Sequence, residues 1–205
     1  MKSVFTFLAS LLMVGSVLAQ EVAPDTLIKN VTNEVLEIVR KDKDIQSGNT
    51  RKAVELVEAK VLPYFNFTRM TQLALARDWR KASVTQQKAL TEEFRELLVR
   101  TYSKALTEYK SQTIDFKPFS LKPGETDARI RTEIRQAGGK PIQLDYYLEK
   151  AGANWKVYDI EVSGVSLVTN YRETFASAIS KDGIDGLIKV LQDKNKSGEA
   201  SSVKK

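Results

Sequence analysis

Residues 154–175 read NWKVYDIEVSGVSLVTNYRETF, and within them a strand pattern becomes a helix pattern across a single glycine. Before Gly164 the period is two. Trp155, Val157 and Asp159 fall on one side and Lys156, Tyr158, Ile160 and Val162 on the other, as expected of a half-buried strand. After Gly164 the apolar residues Leu167, Val168, Tyr171, Phe175, Ala178 and Ile179 recur at three- and four-residue steps, the mark of an amphipathic helix whose stripe must rest on something. Gly164 supplies the backbone freedom for the bend, and Ser163 and Ser166 offer hydroxyls to the first free amides of the helix. The nearest surface is the sheet that delivers the chain to the corner. The helix is therefore expected to fold across the concave face of that sheet and enclose a volume, filled by side chains or by a ligand.

Upstream of this corner the period stays at two for three more segments. Ile114 and Phe116 alternate within 113–119, Pro123-Gly124 makes a turn, and Ile130, Thr132 and Ile134 alternate with Arg129, Arg131, Glu133 and Arg135. Gly138-Gly139 is a hairpin signal, after which Ile142, Leu144, Tyr146 and Leu148 alternate with Gln143, Asp145, Tyr147 and Glu149. Consecutive strands with one apolar face make an antiparallel meander.

Helical spacing precedes the strands. Leu27, Ile28, Val31, Val35, Ile38 and Val39 form one stripe behind Asp25 as N-cap, and a second helix from Thr50 to Leu62 is stopped by Pro63. Asn66 or Thr68 starts a short helix holding Met70, Leu73, Ala74 and Leu75. Ser83 and Gln86 then form a capping box for the longest run, whose face carries Leu90, Phe94, Leu97, Leu98, Thr101, Tyr102, Ala105, Leu106 and Tyr109. That helix is roughly 40 Å long, enough to cross a small domain. Downstream, Gly183 breaks the pattern and Asp185 opens a last short helix with Leu187, Ile188 and Leu191. The fold class that follows is α+β: helices packed on a curved four-stranded antiparallel sheet, cone-like, with an open end as the pocket candidate.

Residues 1–19 read as a secretory signal peptide, with Lys2 before an apolar run and the small-residue pattern Val17-Leu18-Ala19 at its end. A single domain is expected over residues 20–192, and a polar, disordered tail over 193–205. The chain carries 32 Lys+Arg against 26 Asp+Glu, and export of a mildly basic chain points to an anionic membrane surface or an acidic protein rather than to nucleic acid. With neither cysteine nor histidine there is no disulfide, no Ser-His-Asp or Cys-His set and no ready transition-metal site. No phosphate loop or dinucleotide fingerprint is present, and no metal is implied. Two other classes stay open on the residues alone. One is a small cone-shaped enzyme of isomerase type pairing Asp145 with Tyr102 or Tyr146; the other is an envelope adaptor with neither ligand nor chemistry.

Taken together, LPYFNF-x-RMTQLAL-x-R-x-WRKA (62–82), QQKALTEEFRELLVRTYSKAL (86–106), WKVYDIEVSGVSLVTNYRETF (155–175) and GIDGLI (183–188) resemble the MlaC family, the phospholipid carriers of the Mla (maintenance of lipid asymmetry) pathway, also called the toluene-tolerance family. The resemblance runs from about Thr26 to Leu191, with alanine at position 76 where the family often has glycine. It implies a soluble periplasmic shuttle with a cavity between sheet and helices that takes phospholipid with two or more acyl chains. It further implies two partners, an outer-membrane lipoprotein complex and the membrane-anchored substrate-binding subunit of an inner-membrane ABC transporter, with no enzymatic step and no cofactor. By motif position the resemblance assigns Tyr102 and Ile142 to the cavity lining. Alternation and helical spacing add Leu98, Leu106, Leu144, Tyr146, Tyr158, Ile160, Val162, Val165, Leu167 and Phe175. The same residues would serve a filled core equally well, because a stripe says which way a side chain points and not whether the space it enters is occupied.

Overall fold

A computed structural model of the protein describes residues 22–197. The expected signal peptide at 1–19 and the last residues of the expected tail lie outside them. The first helix, α1 (Pro24–Lys41), begins two residues earlier than its sequence signal: Ala23 is the N-cap, Pro24 occupies the first turn, and Asp25 contributes charge there rather than capping. A four-residue helix, α2 (Lys43–Gln46), follows behind an Asp42 cap. Next comes α3 (Thr50–Lys60), capped by Asn49, and a short 3-10 turn at Leu62–Tyr64 absorbs Pro63. Asn66 caps α4 (Phe67–Leu75), accepting the Arg69 amide at 3.0 Å.

The capping box at Ser83 is present in full. Ser83 Oγ accepts the Gln86 amide at 3.2 Å and Gln86 Oε1 accepts the Ser83 amide at 2.9 Å, opening α5 (Val84–Thr107), the central helix of 24 residues. Among the described residues no helix is long and apolar enough to cross a membrane.

The strands are β1 (Thr113–Phe116), β2 (Asp127–Arg135), β3 (Ile142–Ala151), β4 (Asn154–Val162) and β5 (Val165–Ser166), in one antiparallel sheet of order β1-β2-β3-β4-β5. The expected four-stranded sheet thus gains a fifth strand of two residues. It forms because the turn at Ser163 (φ 49°) and Gly164 (φ 85°) folds Val165 back onto Val162 before the helix starts.

Register supplies a second correction. Leu148 lies opposite Val157, but Tyr147 lies opposite Asp159, so Tyr158 is an extra residue in β4. Such a bulge reverses the alternation that follows it. Trp155, Val157, Ile160 and Val162 consequently share the face of Leu148, Tyr146 and Leu144, rather than dividing between two faces as strict alternation predicts.

The closing helix, α6 (Arg172–Ser197), follows a 3-10 turn at Thr169–Tyr171 and bends at Gly183, whose φ of 70° and ψ of −174° interrupt the helical run. Its chief partners are α5 and α4, not the sheet it was expected to cover. Phe175 sits against Phe94 of α5 at a ring separation of 5.1 Å, and Leu187 and Leu191 join the same filled cluster. The helix also continues past 193 into the expected tail, held there by Asn195, whose amide donates to the Glu93 carbonyl at 2.9 Å. Two further clusters complete the interior, one between the sheet and Ile28 and one among α1, α2, α3 and Tyr109. A hollow remains between the three clusters.

Candidate functional site: an apolar cavity between the sheet and three helices

The hollow has a volume of about 530 Å³, within the range of pockets that enclose a small organic ligand. One wall is α5, which presents Leu98, Tyr102 and Leu106 at successive four-residue steps and therefore in one line along the helix. The floor is the sheet, where Ile142, Leu144 and Tyr146 of β3 stand beside Ile134 of β2, Ile114 of β1, and Val157 and Ile160 of β4. Ile28, Val31 and Val35 of α1, Val57 of α3 and Phe65 close the remaining sides, and Leu167 reaches in from the corner after β5. The lining residues that are themselves exposed are Ala105, Glu108 and Gln136, which places the mouth at the C-terminal end of α5 beside the end of β2. Glu108 is the only charged residue among them; all other lining side chains in the described residues are uncharged.

Two phenols in the lining, those of Tyr102 and Tyr146, are held neutral by burial. Burial pushes Tyr102 well above the ordinary phenol range, with Tyr171 beside it adding to the shift. Burial likewise raises Tyr146 to about 12, against a smaller opposing contribution from the Thr32 hydroxyl. Away from Glu108 at the mouth, a surface made mostly of aliphatic carbons and aromatic rings can accept hydrocarbon.

The acid-base pairing of Asp145 with Tyr102 or Tyr146 is ruled out by position. Asp145 is fully buried on the face of the sheet turned away from the cavity, where Arg129 donates to its Oδ2 from Nη2 at 2.6 Å and from Nε at 2.9 Å. Tyr146, its chain neighbour, points into the cavity.

Of the residues singled out in sequence, Leu98, Tyr102, Leu106, Ile142, Leu144, Tyr146, Ile160 and Leu167 are brought together around the hollow. Four are not. Tyr158, thrown outward by the bulge, packs on the far side of the sheet under Arg69, whose guanidinium carbon lies 3.7 Å from the ring centroid. Phe175 is 2 % exposed inside the filled cluster between α5 and α6. Val165 is 50 % exposed at the turn, and Val162, paired with it at the end of β4, lies outside the lining. Sequence reasoning missed the contribution of α1 and α3. Their three- and four-residue apolar spacing was visible as a buried face, but nothing in it says that the face opposes a void rather than a packed neighbour.

The family model described as MlaC protein matches residues 29–193. A Haemophilus influenzae protein described as the intermembrane phospholipid transport system binding protein MlaC is 25% identical over 193 residues, covering 93% of this chain and 90% of that one. The toluene tolerance protein ttg2D of Pseudomonas putida is 25% identical over 163 residues, covering 79% of this chain and 75% of its own length. Among solved structures, a phospholipid-binding protein from Ralstonia solanacearum in complex with a phospholipid superposes with a TM-score of 0.78 at 37% identity, covering 85% of this chain and 97% of that one.

Proposed function

The chain belongs to the MlaC family, and from that premise we propose that it is a soluble periplasmic carrier of phospholipid, taking the acyl chains into the cavity and leaving the headgroup at the mouth. The observation that carries this reading is the pairing of a hollow of about 530 Å³ with a lining whose one charged residue stands at the entrance. Each methylene moved from water into such a lining contributes about 0.8 kcal/mol, so a single acyl chain gains on the order of 10 kcal/mol of shelter. That offsets the cost of carrying the chain through water, and because a bilayer shelters the chain equally the exchange between membrane and cavity is near balance. The description of the Ralstonia solanacearum neighbour, a phospholipid-binding protein with its ligand, supports the same ligand class here.

The carrier moves lipid between an outer-membrane lipoprotein complex and an inner-membrane ABC transporter, handing it to the membrane-anchored substrate-binding subunit of the latter. Support for these partners comes from the family and from the intermembrane transport system named for the Haemophilus influenzae relative. No catalytic step is part of this reading. Solvent extraction and native mass spectrometry of the protein purified from cells are the test. Phospholipid at close to one molecule per chain is expected, and protein that is free of lipid, and stays so after incubation with phospholipid vesicles, overturns the proposal.

A further inference from the structure

One row of α5 residues, spaced by four along a single face, divides between the hollow and the packed interior. Leu106, Tyr102 and Leu98 line the cavity, whereas Phe94 and Leu90, next in the same row, are fully buried in the filled cluster beneath α6. Leu98 belongs to both, facing the hollow while packed into that cluster at 6 % exposure. Met70 of α4 does the same at 3 %. Leu98 stands about 15 Å in from Glu108 at the mouth, measured along the helix. Behind the two side chains the rings of Phe94, Tyr171 and Phe175 pack with centroids 5.1 and 5.5 Å apart, and the hollow ends.

This boundary is braced from two sides. At the head of α4 the Asn66 amide donates to the Val157 carbonyl of β4 at 2.8 Å, and Arg172 of α6 donates from Nε to the Leu73 carbonyl at 2.8 Å. The helix that carries Met70 is thereby tied to the sheet and to the closing helix, and a close-packed core behind it does not compress. Resting on the carrier reading above, we propose that Met70 and Leu98 form an end wall that sets the longest acyl chain the carrier takes. A chain shorter than the limit is sheltered in the cavity as it is in a bilayer, so its partition between the two does not depend on its length. Beyond the limit each further methylene is left in water at the mouth, which lowers the partition into the carrier about fourfold. Selection by such a wall is a cutoff and not an optimum.

The test is competition among chain lengths. The purified protein is incubated with excess vesicles holding equal amounts of phosphatidylglycerols that differ only in the length of their saturated chains, re-isolated, and its bound lipid is extracted and quantified by mass spectrometry. The wild type is expected to take the shorter lipids in proportion to their abundance and to discriminate by about fourfold or more per added carbon beyond a limit. Leu98→Ala should move that limit to chains longer by about two carbons. Leu98→Val, which removes a single methylene and leaves the fold intact, should move it by about one. Leu106→Ala enlarges the cavity beside the mouth and should leave the limit in place. Bound lipid with no limit in the wild type, or a limit that stays put in folded Leu98→Val or moves as far in Leu106→Ala, overturns this proposal alone. An absence of bound lipid in every sample overturns the carrier reading with it.

Discussion

Arg69 of α4 stacks its guanidinium over the ring of Tyr158, 3.7 Å from the centroid, on the side of the sheet away from the cavity. The same guanidinium bonds Glu149 of β3 and reaches Asp127 of β2 at 3.3 Å, so one side chain ties α4 to three neighbouring strands. The contact exists because Tyr158 is the extra residue of β4. It gives the outward-turned ring a cation to lie against, a contact worth about 0.5–2 kcal/mol.

Tyr158 is therefore structural. Tyr158→Phe keeps the ring and should leave stability within about 0.5 kcal/mol, while Tyr158→Ala should cost about 1–3 kcal/mol through loss of stacking and packing. Urea denaturation measures both. Neither should change the lipid recovered by extraction, and a marked loss of lipid in a folded Tyr158→Ala protein would return this residue to the cavity side.

Ile142 and Leu106 face each other's territory across the hollow. Ile142→Glu places a carboxylate where only hydrocarbon belongs, and because the position is half-buried at the cavity surface the fold should survive. Bound lipid should fall by about tenfold. Leu106→Trp is the complementary change: it fills space that the wild type leaves open, so retained lipid should drop while the thermal midpoint of the empty protein stays level or rises. Unaltered lipid content in both variants would mean that the chains lie elsewhere.

Phe175 belongs to the filled core. Its ring contacts Phe94 at 5.1 Å and Tyr171 at 5.5 Å with almost no exposure. Phe175→Ala should cost about 3–5 kcal/mol, read as a shift of the denaturation midpoint. A loss of only a few tenths would argue for a hollow there as well.

Ala76 ends α4 at φ 50° and ψ −119°, a conformation that favours glycine. Since the strain on an L-residue at positive φ is about 1–2 kcal/mol, Ala76→Gly should stabilise the protein by about 1 kcal/mol net of the greater freedom of the unfolded chain. Equal or lower stability would show that the neighbouring chain relaxes the strain.

Asp159 holds the corner after β4. Its Oδ1 accepts the amides of Ile160 at 2.8 Å and Val168 at 3.2 Å, and its Oδ2 accepts the Ser166 hydroxyl at 2.6 Å. Burial raises its pKa above the ordinary carboxylate range despite these bonds. With the folded pKa above the unfolded one, the stability this group contributes is complete below about pH 4 and is lost as pH rises through the folded value. Relative to Asp159→Asn, which does not titrate, the wild type should therefore lose stability between pH 4 and neutrality in paired denaturation curves. A wild type that gains stability relative to the variant as pH rises would contradict the assignment.

Much of the molecule was legible in the order of its residues. The spacing of apolar side chains, the capping box of Ser83 and Gln86, the glycine turns and the alternation of β2 and β3 specify helices, strands and their buried faces, because those features depend on neighbours a few positions away in the chain. The line of Leu98, Tyr102 and Leu106 and the row of Ile142, Leu144 and Tyr146 are of this kind. Tertiary structure alone decided three further matters. The bulge at Tyr158 turned Ile160 and Val162 onto the face of Val157, which follows from how β4 registers against β3. The stripe of α6 went to α5 and α4 instead of the sheet, leaving the concave face to α1, α3 and α5. The cavity itself arises because three filled clusters meet without closing the space between them. A hydrophobic face records the demand to leave water, which a core and a lipid satisfy equally; which of the two meets it depends on the distance to the opposite wall, and that distance is set by residues far apart in the chain.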